Sequence, residues 1–314
     1  MHLNTLPKIS VVTVNYNNGA FLEATILSVL NQGYPNLEYI IIDGGSSDNS
    51  LDIIKKYQHQ LAYWVSEKDQ GQYHAVQKGF EKSTGEIMAW INSDDLYVPN
   101  SFFAVAGIFN TFPEVQWLMG IPREYTEQGS MISRITLPWG RWSKHRFYTF
   151  DFQFIQQESC FWKRELWEKA GGMNTSYRYA GDMELWLRFF RHAKLHTTLA
   201  TLAGFRHRSN QRSAEFRRDY LLECQQAIKQ ELKRFSIFKR TGYVLLRLLG
   251  YLTGPFFFYD IPVFNLAYPL LFCIPKPINY DFSKKSYVRR NQMVKLPPLF
   301  IGKRQVHRKM FSEK

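Results

Sequence analysis

Over the first hundred residues, short apolar runs alternate with amphipathic segments. Ile9 to Val14 is rich in β-branched residues and predicts a strand. Phe21 to Leu30 carries apolar side chains at 21, 22, 26, 29 and 30, a helical period. Leu37 to Ile42 predicts a second buried strand, ended by Asp43-Gly44-Gly45-Ser46. Asp48 is placed to cap a helix through Ile53 and Ile54. Leu61 to Val65 predicts a third strand, Gly71 to Ser83 a helix, and Glu86 to Ile91 a fourth strand that runs into Asn92-Ser93-Asp94-Asp95. Strands that alternate with helices imply an α/β fold, with a mostly parallel sheet covered on both faces. Polar residues cluster after the strands, at 15–18, 43–48, 67–72 and 92–95. In open α/β sheets that carboxyl edge is where ligands bind.

Farther along, the pattern changes. From Pro122 to Phe154 it weakens into a loop or hairpin insertion, decorated by Trp139, Trp142, Phe147 and Tyr148. A variable loop on a rigid scaffold often carries specificity. Helices are expected from about Gly181 to His192 and from about Ala214 to Phe235. Residues 241–275 are strongly apolar, but Arg247, Gly254-Pro255, Asp260 and Pro262 interrupt them, so an interfacial or docked helical segment fits better than a membrane span. We therefore divide the chain into an α/β domain, residues 1–215, and a helical, apolar and basic extension, residues 216–314.

Charge adds to this picture. The chain of 314 residues carries 40 Lys/Arg against 27 Asp/Glu, a net +13. Between Cys273 and Lys314 there are eleven Lys/Arg and two acids, so +9 of the total sits in the last stretch. A basic end after an apolar segment suits an anionic membrane surface better than nucleic acid. Aromatic residues reach 16%, which points toward carbohydrate or membrane-interface contacts. Cys160, Cys224 and Cys273 form no disulfide framework or metal spacing, and a reducing compartment is expected. The N-terminus has no charged region ahead of a long apolar stretch, so no secretory signal is expected.

The segments ISVVTVNYNNGAFLEATILSVLNQGYPNLEYIIIDGGSSDNS and EKDQGQYHAVQKGFEKSTGEIMAWINSDD resemble family 2 glycosyltransferases, and the resemblance covers roughly residues 7 to 215. It implies a GT-A fold and an inverting enzyme that uses a nucleotide-diphosphate sugar and a divalent metal, magnesium or manganese. Asp43, before a Gly-Gly turn, would contact the nucleoside, with Asn15 and Tyr16 lining the same pocket. Asp69 and Gly71 match a D-x-G element near the base, although His74 and Gln77 depart from the usual residues there. NSDD resembles the metal motif: Asp95 is the expected ligand, and Asp94 the contact to the donor sugar or ribose. Two adjacent carboxylates at a strand end repel unless a cation or donors compensate. Asp182, in YAGDMELWLR, matches the catalytic-base position, with Glu184 as the weaker candidate. Gln156, Gln157 and Glu158 would approach the donor or acceptor pocket. Arg206 would close over the diphosphate, and His207 would be an occasional metal ligand.

Other readings compete. The turn after the first strand is Asn15-Tyr16-Asn17-Asn18-Gly19, without the glycine spacing of a dinucleotide fold, and no phosphate-binding P-loop is present. A processive synthase would resemble a family pattern with Gln-x-x-Arg-Trp and several spanning helices, neither of which is apparent, so transfer of a single sugar is expected. The alternative class is a catalytically degenerate GT-A protein that binds membrane or polyanions. The expected partners are a nucleotide-diphosphate sugar, probed first as a UDP-sugar, a glycan or lipid-linked acceptor of the cell envelope, and an anionic membrane at its cytoplasmic face. No nucleic acid is expected.

Overall fold

The structure is a computed structural model that describes residues 6–132, 143–149, 155–209, 211, 215–258 and 273–289. The parts of the 122–154 insertion and of the basic C-terminal end that fall elsewhere lie outside the described residues.

The first four expected strands form as β1 (Ile9–Asn15), β2 (Leu37–Asp43), β3 (Tyr63–Ser66) and β4 (Ile87–Asn92). Helices α1 (Gly19–Leu30), α2 (Ser50–Tyr57) and α3 (Gln72–Glu81) connect them. Then come β5 (Leu96–Tyr97), α4 (Ser101–Thr111), β6 (Trp117–Tyr125), β7 (Met131–Ile132), α5 (Lys144–Tyr148), β8 (Cys160–Lys163), α6 (Arg164–Ala170), α7 (Gly181–His192) and β9 (Leu195–Arg206). The chain continues through α8 (Arg217–Lys233) and α9 (Ile237–Phe258) to β10 (Ile278–Asp281) and β11 (Ser286–Arg289).

The sheet order is β11-β10-β9-β6-β8-β4-β1-β2-β3. β1 to β4 pair in parallel, β8 runs antiparallel between β4 and β6, and β6 and β9 pair in parallel again. Side-chain alternation builds a core on each face, as a period of two requires. Val12, Ile40, Ile42, Met88 and Trp90 pack with α3, α7 and α8, while Val11, Tyr39, Ile41 and Ala89 pack under α1 and α4. A single carboxylate starts two helices: Asp48 accepts from the backbone N–H of Ser50 at 3.0 Å and of Gly19 at 2.8 Å. Such capping satisfies donors that a helix leaves open.

Three expectations change. The aromatic excess is largely interior: Trp90, Trp117, Trp162 and Trp186 are fully buried, with Trp117 stacked on Trp186 at 5.0 Å. The insertion begins later than Pro122, because Trp117 to Tyr125 is one continuous strand that turns into β7. The C-terminal extension is not helical throughout. Ile278 is fully buried, β10 joins β9, and β11 closes the sheet edge, so part of the basic stretch is folded hairpin.

Among the described residues, no helix is long and apolar enough to cross a membrane.

Candidate functional site

The carboxyl ends of the parallel strands gather the predicted residues along one edge. Asn15 ends β1, Asp43 ends β2, Ser66 ends β3 and Asn92 ends β4. Asp43 is fully buried, and five donors surround its carboxylate. Oδ1 accepts from Asn15 Nδ2 at 2.7 Å and Ser46 Oγ at 2.6 Å. Oδ2 accepts from Ser66 Oγ at 2.6 Å and from the N–H groups of Gly45 at 3.1 Å and Ser46 at 2.9 Å. Burial alone would raise its pKa, but the hydroxyl donors Ser46 and Ser66 and the Ser46 amide bring it below the ordinary aspartate value. A carboxylate offers about four lone-pair positions. In this arrangement Asp43 builds the turn that joins the ends of β1, β2 and β3.

A second carboxylate beside this turn is the half-buried Asp69. A side chain at Gly44 would place its Cβ 2.7 Å from Asp69 Oδ2 and 3.3 Å from the Tyr16 ring, so it would displace the Asp69 carboxylate. Tyr16 is 66% exposed at the rim. Asp69 Oδ1 accepts from the Gly71 N–H at 2.7 Å, and Gly71 has φ +118°, a backbone that favours glycine. Asn17 stands at φ 48°, and its Oδ1 accepts from the Ser47 N–H at 2.8 Å, which ties the first loop to the second. Gln77 receives the Met173 N–H at 2.8 Å, so this departure from the family pattern fastens α3 to the turn after α6.

Beyond β4 the electrostatics reverse. Asp95 is almost fully buried, yet among the described residues its carboxylate receives only the Arg206 N–H at 3.0 Å and a long contact from Asn92 Nδ2 at 3.5 Å. Burial, then the charges of Asp94 and Glu158, push its pKa well above the ordinary value. Burial also raises Asp94, although Arg208 Nε pairs with it at 2.7 Å. Arg206 Nε donates to the Asp94 carbonyl at 2.8 Å, and the guanidinium groups of Arg206 and Arg208 lie over the Phe21 ring at 5.2 and 5.8 Å. Glu158 is buried between these groups, with its Oε1 unpartnered. Burial raises it to about 7, helped by Asp182 and Asp94. Gln157 donates to the Trp90 carbonyl and accepts from Asn92 Nδ2 at 3.4 Å. The partly exposed Gln156 receives the Ser159 N–H through its carbonyl, which makes it part of the same turn.

Asp182 opens α7. Burial raises its pKa to about 6, against hydrogen bonds from the Met183 N–H and the Tyr73 hydroxyl. Tyr73 donates to the Tyr179 carbonyl at 2.6 Å and reaches Asp182 Oδ1 at 3.4 Å. From α8, Glu223 accepts the N–H groups of Arg178, Tyr179 and Ala180 at 3.1, 2.9 and 2.8 Å. The strap leading into Asp182 is thus held from two sides. Glu184, the weaker candidate, is occupied by a two-pronged contact from Arg188 at 2.7–3.0 Å and points away from this role.

A divalent cation fits at Asp95. Its only described partners are N–H groups, while two neighbouring carboxylates press on it, and a cation would relieve that repulsion. Among the described residues no three His, Cys, Asp or Glu side chains cluster as a self-sufficient metal site. Magnesium or manganese bound through one or two carboxylates and donor phosphates needs no such cluster. His207 is not drawn in: its Nε2 lies 3.4 Å from Glu124 and its ring packs edge-on to Phe205.

Several residues of the site were not singled out from sequence. Arg208 was hidden in a basic loop, and Glu223 and Tyr73 lie on helices whose apolar spacing says nothing of a polar task. Asn18 is a further member, joining Ser93 Oγ at 2.9 Å to Arg208 Nη1 at 3.2 Å.

Comparison with known proteins places this geometry. The family model for glycosyl transferase family 2 matches residues 10–169. An uncharacterized glycosyltransferase of Nostoc sp. is 37% identical over 107 residues, 33% of either chain. The Bacillus subtilis glycosyltransferase TuaG, assigned to teichuronic acid biosynthesis, is 35% identical over 95 residues, 29% of this chain and 38% of TuaG. The chain spans only 33% to 59% of the length of the first curated relatives it matches. Staphylococcus aureus TarS 1–349, crystallised with UDP-GlcNAc, superposes with a TM-score of 0.61 at 15% identity, over 82% of this chain and 75% of that one. The mannosyltransferase PcManGT of Pyrobaculum calidifontis, in complex with GDP-Man and Mn2+, gives 0.58 at 18% identity, over 85% and 72%. These two share the GT-A fold. With half of its residues inside the family model, this chain belongs to glycosyl transferase family 2.

Proposed function

We propose that this chain transfers a single sugar from a nucleotide-diphosphate sugar, a UDP-sugar in the first instance, to a hydroxyl of a glycan or lipid-linked acceptor. The reaction inverts the anomeric centre and serves cell-envelope or exopolysaccharide assembly, at the cytoplasmic face of the membrane. The observation that carries the reading is an under-satisfied Asp95 just beyond β4 together with a separate carboxylate, Asp182, at the start of α7 and poised near pH 6, both acting on the buried Glu158 or acted on by it.

In this reading Tyr16, Gly44, Asp69 and Gly71 frame the base, and Asn15 and Asp43 hold the wall behind it. Asp94 faces the ribose or donor sugar. The turn through Gln156, Gln157 and Glu158 floors the pocket. A magnesium or manganese ion bound at Asp95 supplies positive charge to the leaving diphosphate. Arg206 and Arg208 add fixed positive charge beside it. The acceptor oxygen gives its proton to Asp182 and bonds to the anomeric carbon from the face opposite the diphosphate. The carbon–oxygen bond to the diphosphate breaks, and its electron pair leaves with the nucleotide. A base with a pKa near 6 is ionised at neutral pH and still accepts a proton readily.

The test is calorimetric titration with a panel of nucleotides and nucleotide sugars, with manganese, with chelator, and with Asp95→Ala. Metal-dependent binding of one nucleotide diphosphate, lost in the variant, supports the reading. A folded protein that binds none of them refutes it.

A further inference from the structure

Helix α9 presents an apolar face that is exposed among the described residues. Ile237, Phe238, Val244, Leu245, Leu248 and Leu252 are exposed, with Phe238 at 86% and Leu252 at 64%. Their spacing keeps them on one side of a helix with 3.6 residues per turn. The side that docks carries Tyr243, which is buried against Phe235 at 5.7 Å and Tyr148 at 5.2 Å. Leu246 joins that contact. Solitary exposed leucines are ordinary, but a contiguous stripe on one helix marks an interaction surface.

The charge on the helix selects the occupant. Lys239, Arg240 and Arg247 are its ionisable residues of either sign, apart from Tyr243 and Tyr251. No Asp or Glu occurs between Glu231 and Asp260, whereas Lys233 and Arg234 immediately precede the helix. On a helical projection Arg240 and Arg247 fall between the docked side and the apolar stripe. Basic side chains at the margin of an apolar face suit the headgroup level of an anionic bilayer, where their stems lie along the acyl boundary and their charges meet phosphate. A second copy of the chain would bring the same positive margins together across a two-fold axis, which repels. A spanning orientation does not suit this helix, because one side is docked on α5 and on Phe235 while the other is apolar.

We infer that α9 is an interfacial membrane helix, lying in the plane of an anionic lipid surface with Phe238, Leu245, Leu248 and Leu252 inserted and Arg240 and Arg247 at the phosphates. The inference deepens the membrane-face reading and rests on it. It assigns the contact to one helix face rather than to the basic C-terminal end.

Vesicle co-sedimentation of the full chain tests it, using phosphatidylcholine vesicles with and without 30% phosphatidylglycerol, about a third anionic lipid. The variants are Leu245→Ser/Leu248→Ser and, separately, Phe238→Ser. These positions are exposed, so thermal melting and nucleotide binding should stay as in the wild type, and both are measured as controls. The expected result is binding to anionic vesicles, weakened by salt, and roughly tenfold or more lower partitioning in the double variant. Wild-type binding that the variants leave unchanged overturns the α9 assignment and leaves the membrane reading intact. No wild-type binding overturns both. A dimer in light scattering that the leucine substitutions split, without vesicle binding, replaces lipid by a second copy.

Discussion

Asp43 and Asp95 make an instructive pair. Both are buried aspartates at the carboxyl edge of the same sheet, one ending β2 and the other just beyond β4. Asp43 has five donors and a lowered pKa, whereas Asp95 has two N–H contacts and a strongly raised one. The same side chain is therefore satisfied by the fold in one loop and left wanting in the next. Burying a charge without partners is costly, so a fold keeps such a group only where something else arrives to complete it. On the proposed reading, the end of the edge near the base serves as scaffold, and the end with Asp94, Asp95, Glu158 and Asp182 as machinery.

Asp182→Asn strains that contrast hardest. If Asp182 takes the acceptor proton, kcat falls roughly 10³-fold, with donor affinity and melting temperature at or above the wild-type values. Loss of donor binding in this variant would move Asp182 to the scaffold side. The wild-type rate should show an acid limb near pH 6, because the base is protonated below its pKa of about 6.

Asp43→Ala should do the reverse. It strands the donors of Asn15, Ser46 and Ser66, and unfolding by urea should show a loss of about 3 kcal/mol or more. The loss should appear as reduced stability first and as reduced turnover only through it. The two ends also respond oppositely to pH. Asp43 has a lowered pKa, so its contribution is present above 3.8 and is lost as pH falls through the folded value. Glu158, raised from 4.5 to about 7, makes the native state hold an extra proton between those values, so its contribution declines as pH rises through that window. Glu158→Gln should therefore stabilise the protein at pH 8, by on the order of 2 kcal/mol, and should have little effect at pH 4. Destabilisation at pH 8 would show that Glu158 belongs with Asp43.

The scaffold was more legible in the sequence than the machinery. β-branched runs and helical spacing located β1, β2 and β4 because those strands are buried on both faces and must be largely apolar, and the shorter apolar run of β3 marked the half-buried sheet edge. Asp48 could be read as a cap because capping is local. The strand β9 escaped notice: LHTTLATLAGFR mixes polar and apolar residues, and its partner β6 lies some eighty positions away. Asp94, Asp95 and Asp182 were legible through family motifs. The saturation of Asp43 was not, since its donors come from three separate loops. Nor was Arg208, whose pairing with Asp94 is a product of the fold.

The smallest expected effect falls on the strap that joins the two regions. Glu223 holds three consecutive N–H groups just ahead of Asp182, and its charge also helps raise the pKa of that base. Glu223→Gln keeps an acceptor for part of this contact and removes the charge. Donor KM should stay unchanged, because no residue of the nucleotide end is touched. The kcat should fall about fivefold, equivalent to about 1 kcal/mol, as Asp182 loses its fixed approach to the acceptor. The acid limb carries the decisive sign. Removing a nearby negative charge makes ionisation of Asp182 easier, so the limb should shift to lower pH. A general loosening of α8 would lower the melting temperature and leave the limb where it was. A limb that moves while the melting temperature holds makes Glu223 a positioning residue, and extends the machinery from the sheet edge into α8.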